Sequence, residues 1–459
     1  MKSVFAFFRE TSIVAKKTSP SNAAKVPARA ARPKPSTDAS VSAVAQFDIL
    51  VIGGGICAAL TALAAAQPPA AKRAGAGAKA KKLTVGWVRT DPRRCGDIVA
   101  ATYAILNPAA ADLPAGLLKS RLAGLTAGSF KGLHIKTARE GRQADCPDRT
   151  ISGLVCDGPA MLDELTRLAE RAGVRIVPAG ESARFAGDDH GVIATPASGD
   201  PCRGNVALLA DPEIITAGLV ESLGFRQHWL SGRFYPCAGQ TFAASADLLD
   251  ETFGKARQPI TIWQLASLDR EPGGSIDLTS PTGHDGHAWV LPKADRVSVG
   301  LISSRPIPNS GPQPDPAAML NGAIGELRAI NALPRELGAA IGPTAGWALP
   351  VAAALELESH VGKRSLAVGL AGGFVAALSG QWLYPTIAAA VVAAAVARRA
   401  IVDPRPQDVL AQFGARWRGE FADYLRSPNT RLAFLLPLAF GNPHIAARFS
   451  RAYLFGETF

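Results

Sequence analysis

The stretch FDILVIGGGICAALTALAAA, residues 47–66, limits the fold more than any other part of the chain. Phe47 to Ile52 is apolar almost throughout, which suits a strand buried on both faces in the middle of a parallel sheet. Gly53-x-Gly55-x-x-Ala58 follows, and a helix is predicted from about Ile56 to Ala66. Gly53 permits a tight turn, and Gly55 lets the backbone approach a pyrophosphate seated on the helix N-terminus. Ala58 stands where a third glycine usually serves close helix–strand packing, and alanine is an accepted variant there. Strand, glycine turn and helix in this order predict a Rossmann-like βα unit with a dinucleotide on the turn, held by Gly53, Gly54, Gly55 and Ala58. The competing reading is the same core without a ligand.

The next strand is predicted at Leu83–Val88, after a basic, low-complexity insertion, AAKRAGAGAKAKK, read as a solvated loop. An acid should end that strand and accept from the adenosine ribose hydroxyls. Val88 and Arg89 stand there instead, with Asp91 just beyond. Arg89 meeting a phosphate and Asp91 reaching back are both compatible with the spacing.

The chain has 459 residues, 47% of them apolar, enough for two lobes and a tail. Its net charge of +11 favours acidic ligands or surfaces, such as phosphates, anionic lipid or an acidic partner protein. Nucleic acid is not expected as a partner. None of the six cysteines forms a CxxC pair or pairs with histidine at zinc spacing, so neither a metal site nor a disulfide framework is expected. A reducing compartment, the cytoplasm, follows as the default. Residues 1–46 carry Lys2, Arg9, Lys16, Lys17, Lys25, Arg29, Arg32 and Lys34 among Pro, Ala and Ser, the composition of a disordered basic tail. Ser365 to Ala397 has no charge and is long enough to cross a bilayer. Five breaks, at Gly369, Gly372, Gly373, Gly380 and Pro385, point instead to a buried strand, a glycine turn and a buried helix, with no transmembrane segment.

Further landmarks follow in a fixed order, and with them the chain resembles a family. Arg94-Cys95-Gly96-Asp97 is similar to the K/R-x-C-G-E/G turn after the second strand of geranylgeranyl reductases and related flavoproteins. Met161–Val177 is similar to their helix leading into an A-G-A-x-V strand. ADPEIITAGLVESLGF, residues 210–225, is similar to their strand and turn A-D-G-x-x-S. His287-Ala-Trp289-Val-Leu291-Pro292, with Gly300 after it, resembles the reductase signature Y-x-W-x-F-P…G. Ser365–Ala397 resembles the strand–G-D–helix element that closes over the flavin ribityl chain.

The resemblance implies the p-hydroxybenzoate hydroxylase-like architecture. This is an α/β fold: a Rossmann-like FAD-binding domain, an inserted and mostly antiparallel β-sheet substrate domain, and a C-terminal helical segment. In this chain it implies an FAD-binding domain over residues 47–225 and 346–404, a substrate domain over 226–345 and a helical cap over 405–459. FAD is the implied cofactor, with NAD(P)H as candidate reductant. Arg89, Arg94, Gly369, Leu370, Gly373 and Gly380 join the first turn as candidate cofactor contacts. His287 and Trp289 share one face of their strand by alternation. They either line the cavity over the isoalloxazine or form a packed aromatic beside a surface histidine. Trp382 and Tyr384 are the other substrate-site candidates, and no catalytic side chain stands out.

The departures from the pattern are as informative. Leu370 replaces the aspartate of G-D, the A-D-G segment is read as Thr216-Ala217-Gly218, and Gly158 replaces an arginine. Trp382 stands where the flavin helix usually opens with glycine. FAD held by backbone amides and other side chains, weak binding, and a vestigial site are the outcomes left open. In this superfamily the flavin does the chemistry while the protein positions the substrate and excludes water. The resemblance implies an FAD-dependent oxidoreductase: a monooxygenase acting on a bulky aromatic or peptide-borne substrate, or a prenyl or geranylgeranyl-type reductase. The remaining alternative is a catalytically degenerate flavin-fold scaffold. The W-x-W-x-I-P segment of flavin halogenases is not found.

Overall fold

The computed structural model describes residues 44–67, 83–90, 158–179, 183–197, 199–211, 223–225, 234–255, 287–292, 295–303, 305–308, 314–426 and 438–455, together with the backbone of strands at 102–104, 126–131, 133–137, 143–146, 152–156 and 260–264. Three sheets are present among them. In the first, β1 (Ala45–Ile52) lies between β11 (Cys202–Leu209) and β2 (Val85–Arg89) and runs parallel to both. β8 (Arg175–Pro178) extends the sheet beyond β2 and β18 (Ser365–Ala367) beyond β11, again in parallel. β17 (Val361–Gly362), β10 (Gly191–Thr195) and β9 (Arg184–Asp188) add antiparallel pairings on the β11 side.

The apolar run in β1 has the two-sided burial that its sequence requires. Ile49 and Val51 face α1 (Ile56–Ala66), α2 (Gly158–Arg171) and α5 (Leu383–Val402), while Leu50 and Ile52 pack on the other face with Val192, Ala207 and Phe225. The strand starts at Ala45 rather than Phe47, because Ala45 pairs with Cys202 and donates to the Pro201 carbonyl. Alanines 58, 59, 62 and 65 of α1 are buried, and their small side chains allow close approach of the neighbouring helices. Its last carbonyls are capped from afar: the Arg398 guanidinium donates to Ala65 and Gln67.

By length and composition α5 could cross a membrane, yet 67% of its apolar window is buried inside the protein, between α1 and α6 (Pro406–Leu425). It is the buried helix that the glycine and proline punctuation predicts.

The second sheet has the order β16 (Ala340–Leu349), β12 (Tyr235–Ala243), β15 (Arg296–Ile302), β14 (His287–Pro292), β13 (Ile260–Gln264), β5 (Leu133–Thr137), β6 (Gln143–Cys146). All its pairs are antiparallel except β13 with β5. It therefore draws strands from well ahead of residue 226. Alternation divides its faces: Ala288, Val290, Val297, Val299 and Leu301 pack on α4 (Pro316–Ala329), whereas Tyr235, Trp289, Leu291, Ile302 and Trp347 turn toward the core of the first sheet and its helices. The third sheet joins β3 (Thr102–Ala104), β7 (Ser152–Cys156) and β4 (Thr126–Lys131). α3 (Ala246–Phe253) follows β12, and α6 and α7 (Pro443–Phe455) are the last of the described elements.

Candidate functional site

In an open parallel sheet, ligands bind beyond the carboxyl ends of the strands. Here those ends bring together four segments: the turn after β18, Ala210-Asp211 after β11, Gly53–Gly55 after β1, and Arg89-Thr90 at the end of β2. Gly53 has φ 151°, and a Cβ on it would lie 2.9 Å from the Cβ of Ala58 and 3.3 Å from that of Asp211. This is a conformation and a space that only glycine fits. The buried Trp87 indole donates to the Gly53 carbonyl at 2.8 Å, and Gly53 N–H donates to Val88 at 3.1 Å, so β2 fixes the loop from below.

The side chains at this edge are polar. Arg89 lies on the α1 side of the sheet, its guanidinium 5.7 Å from the Trp87 ring centroid, and its Nε is buried with no protein partner. Thr90 donates to the Asp211 carboxylate at 3.3 Å, and Asp211 is buried. Asp211 is a carboxylate at this edge that was not among the sequence candidates. The strand ends at Leu209, so Ala210-Asp211 directly follows it, and a carboxylate stands beside the glycine loop; residues 216–218 lie outside the described residues. An uncapped Arg donor, a buried acid and a cradle that a Cβ would fill suit the ribose and pyrophosphate of a dinucleotide.

The closing turn is built against the same edge. Val368 donates to Leu209 at 2.8 Å and Ala371 to Ala210 at 3.2 Å. Gly369 has φ 53°, and a Cβ there would meet Cys57 Cβ at 2.9 Å. Cys57 of α1 contacts Thr386 of α5 at 3.4 Å between Sγ and Oγ1, so the turn is wedged between the first turns of both helices. The amides of Ala371, Gly372, Gly373 and Phe374 all donate within the protein, leaving fewer backbone donors for a ligand than a free loop would offer. Leu370 and Trp382 are buried in the main apolar cluster, at 2% and 5% exposure, and Gly373 is buried beside Ala353. Gly380 approaches the second sheet, its ideal Cβ position lying 3.2 Å from Ile302.

His287 and Trp289 are both buried, 5.8 Å apart between ring centroids, and so the surface-histidine alternative does not apply. Trp289 lies across Gly300, its partner in the β14–β15 register; a Cβ on Gly300 would be 2.3 Å from the indole. The W…G spacing of the signature thus has a steric reason. Trp289, Trp347, Leu378 and Trp382 fall in one apolar cluster, whereas the ring of Tyr384 packs on Tyr424 of α6 at 4.7 Å. Burial pushes the Cys237 thiol on the same sheet well up, which keeps it protonated. Arg94, with Cys95-Gly96-Asp97, lies outside the described residues, as do residues 1–43 and 68–82.

No protein-family model matches the chain, and no curated protein matches it in sequence. In structure it is similar to a geranylgeranyl bacteriochlorophyll reductase-like protein from Thermoplasma acidophilum, with TM-score 0.63 and 15% identity, over 90% of this chain and 98% of that one. It is also similar to the flavin-dependent brominase Bmp2, with TM-score 0.60 and 15% identity over 90% and 94%. A third likeness is to halogenase PltM in complex with phloroglucinol and FAD, with TM-score 0.56 and 15% identity over 89% and 80%. At such identity the likeness is one of fold, and the fold is the one that the five sequence landmarks imply.

Proposed function

We propose that this chain is an FAD-dependent oxidoreductase, a monooxygenase acting on a bulky aromatic or peptide-borne substrate. The observation that carries the reading is the edge itself: Gly53, Arg89 and Asp211 gather at the carboxyl ends of β1, β2 and β11, next to the turn at Gly369. FAD bound in the PltM structure supports the choice of dinucleotide. The redox chemistry would come from FAD, with NAD(P)H as reductant. The chain's residues do the holding: the Gly53–Ala58 turn seats the pyrophosphate on α1, Arg89 and Asp211 address the nucleotide end, and the Gly369–Gly373 turn closes the other. Leu370 supplies no acceptor there. Trp289 and Trp382 of the main apolar cluster, with His287 beside Trp289, are the candidates for an apolar substrate side that excludes water.

That apolar side also favours a prenyl-type reductase as the second reading, since a polyisoprenoid offers no polar group for it to bind. Loss of the aspartate at 370 favours a degenerate scaffold. The visible spectrum of the purified protein decides first: a flavin band, or a thermal shift on adding FAD, is expected, and the absence of both would sink the enzyme readings. With flavin present, NAD(P)H oxidation coupled to oxygen uptake and to a hydroxylated aromatic product marks a hydroxylase, whereas saturation of a substrate double bond without oxygen uptake marks a reductase.

A further inference from the structure

One buried titratable side chain takes no part in the nucleotide edge. His360, 1% exposed, lies just before β17, and its Nε2 is 2.9 Å from the Gly372 carbonyl. A carbonyl only accepts, so Nε2 carries the proton and Nδ1 is left as an acceptor; it is buried and has no partner. The ring stacks on Phe374 at 5.0 Å and meets the edges of Trp417 at 5.2 Å and Phe413 at 6.1 Å, both from α6. Trp417 Nε1 is also buried without a partner. Two uncompensated polar atoms in one aromatic box are costly, and a core built for packing alone would place phenylalanine at 360.

We propose that His360 is a positioning residue that fixes the Gly369–Gly373 turn and thereby makes α6 part of the cofactor site. The turn's own hydrogen bonds, from Gly372 to Val368, Gly373 to Leu370 and Phe374 to Gly369, shape it internally but do not attach it to α6. Phe374 at the end of the turn packs on Trp417 at 5.2 Å, Phe421 at 5.6 Å and Phe413 at 6.3 Å, and the imidazole adds the polar tie, holding the Gly372 carbonyl while its own ring is gripped by Trp417 and Phe413. Two further contacts carry the link along the loop: Ala377 N–H donates to Leu425 at 3.1 Å, and Tyr384 packs on Tyr424. α6 is thus more than a cap, since its aromatic residues help to set where the turn stands. The turn's role toward FAD rests on the function proposed above, whereas its attachment to α6 does not.

Full-length protein carrying His360→Phe keeps an aromatic ring in the box and loses the donor; His360→Gln returns an amide donor. Amide hydrogen exchange at Gly372–Phe374 is expected to quicken at least tenfold in His360→Phe and to recover in His360→Gln. The FAD dissociation constant should rise about tenfold and the visible flavin bands should shift in the first variant alone. Wild-type exchange in a folded His360→Phe overturns the attachment, whether or not FAD binds. Faster exchange with unchanged FAD affinity and bands overturns the role at the cofactor. If the wild-type protein binds no FAD, the functional reading falls while the exchange comparison still decides the attachment. Should His360→Phe not fold, His360→Gln carries the test, and a folded Gln variant with an unprotected turn overturns the proposal.

Discussion

The indole nitrogen of Trp87 donates to the carbonyl of Gly53 across 2.8 Å, joining the second strand to the first residue of the glycine turn in a buried setting. The bond holds a loop whose φ of 151° offers little intrinsic preference of its own. Trp87→Phe leaves the ring's apolar contacts largely in place and the carbonyl unpaired. A stability loss of about 1–3 kcal/mol in urea unfolding is expected, together with weaker FAD binding, since the seat loosens. An unchanged midpoint would mean that the carbonyl finds another donor.

Gly300 is empty so that Trp289 can be there. With the Trp289 indole 2.3 Å from where a Cβ would stand, Gly300→Ala must move the ring or the strand. Overpacking of this kind typically costs about 1–3 kcal/mol, and the loss should disappear when Trp289→Ala is combined with it. A double-mutant cycle by chemical denaturation reads this directly; additive losses would count against the steric explanation.

Leu370→Asp restores the carboxylate of the family pattern but places it where the structure has 2% exposure and apolar neighbours. Desolvation opposes any gained hydrogen bond, and α5 begins only at Leu383, beyond Trp382. The expected result is a lower melting temperature and no tightening of FAD. A titration in which the variant binds FAD more tightly would show that the turn keeps the family's contact geometry with leucine merely in the acid's place.

Which parts were legible follows from how local their causes are. β1, the glycine turn and α1 depend on periodicity and on backbone space within about twenty residues, and apart from the two-residue extension of β1 to Ala45 they appear where the sequence puts them. The W…G signature was visible as spacing, but its reason needed the β14–β15 register. Asp211 was missed because two apolar runs follow one another, Val206–Leu209 and Ile214–Val220, and pattern alone does not choose the strand. Pairing with Ile52 and Ser365–Ala367 chooses the first. His360 gave no signal at all. Its partners come from the closing turn and from α6, more than fifty residues away along the chain, so the box exists only once the chain is folded.

That box makes stability depend on acid. Burial holds the His360 imidazole down to about 3 from an ordinary 6.5, the Gly372 carbonyl opposes this, and Arg418 on α6 adds repulsion to the charged form. A folded-state value below the unfolded one means that the unfolded chain takes up the proton first. The stabilisation from this residue is therefore complete above pH 6.5 and is lost as pH falls from 6.5 toward 3. The slope approaches about 1.4 kcal/mol per pH unit, or roughly 3 kcal/mol at most by pH 4.5. His360→Phe cannot take up that proton, so its stability relative to wild type should improve by this amount between pH 7 and pH 4.5. Parallel urea titrations of the two proteins at those pH values measure the difference. Equal losses in both would show that the imidazole accepts its proton in place, with water reaching Nδ1 inside the aromatic box.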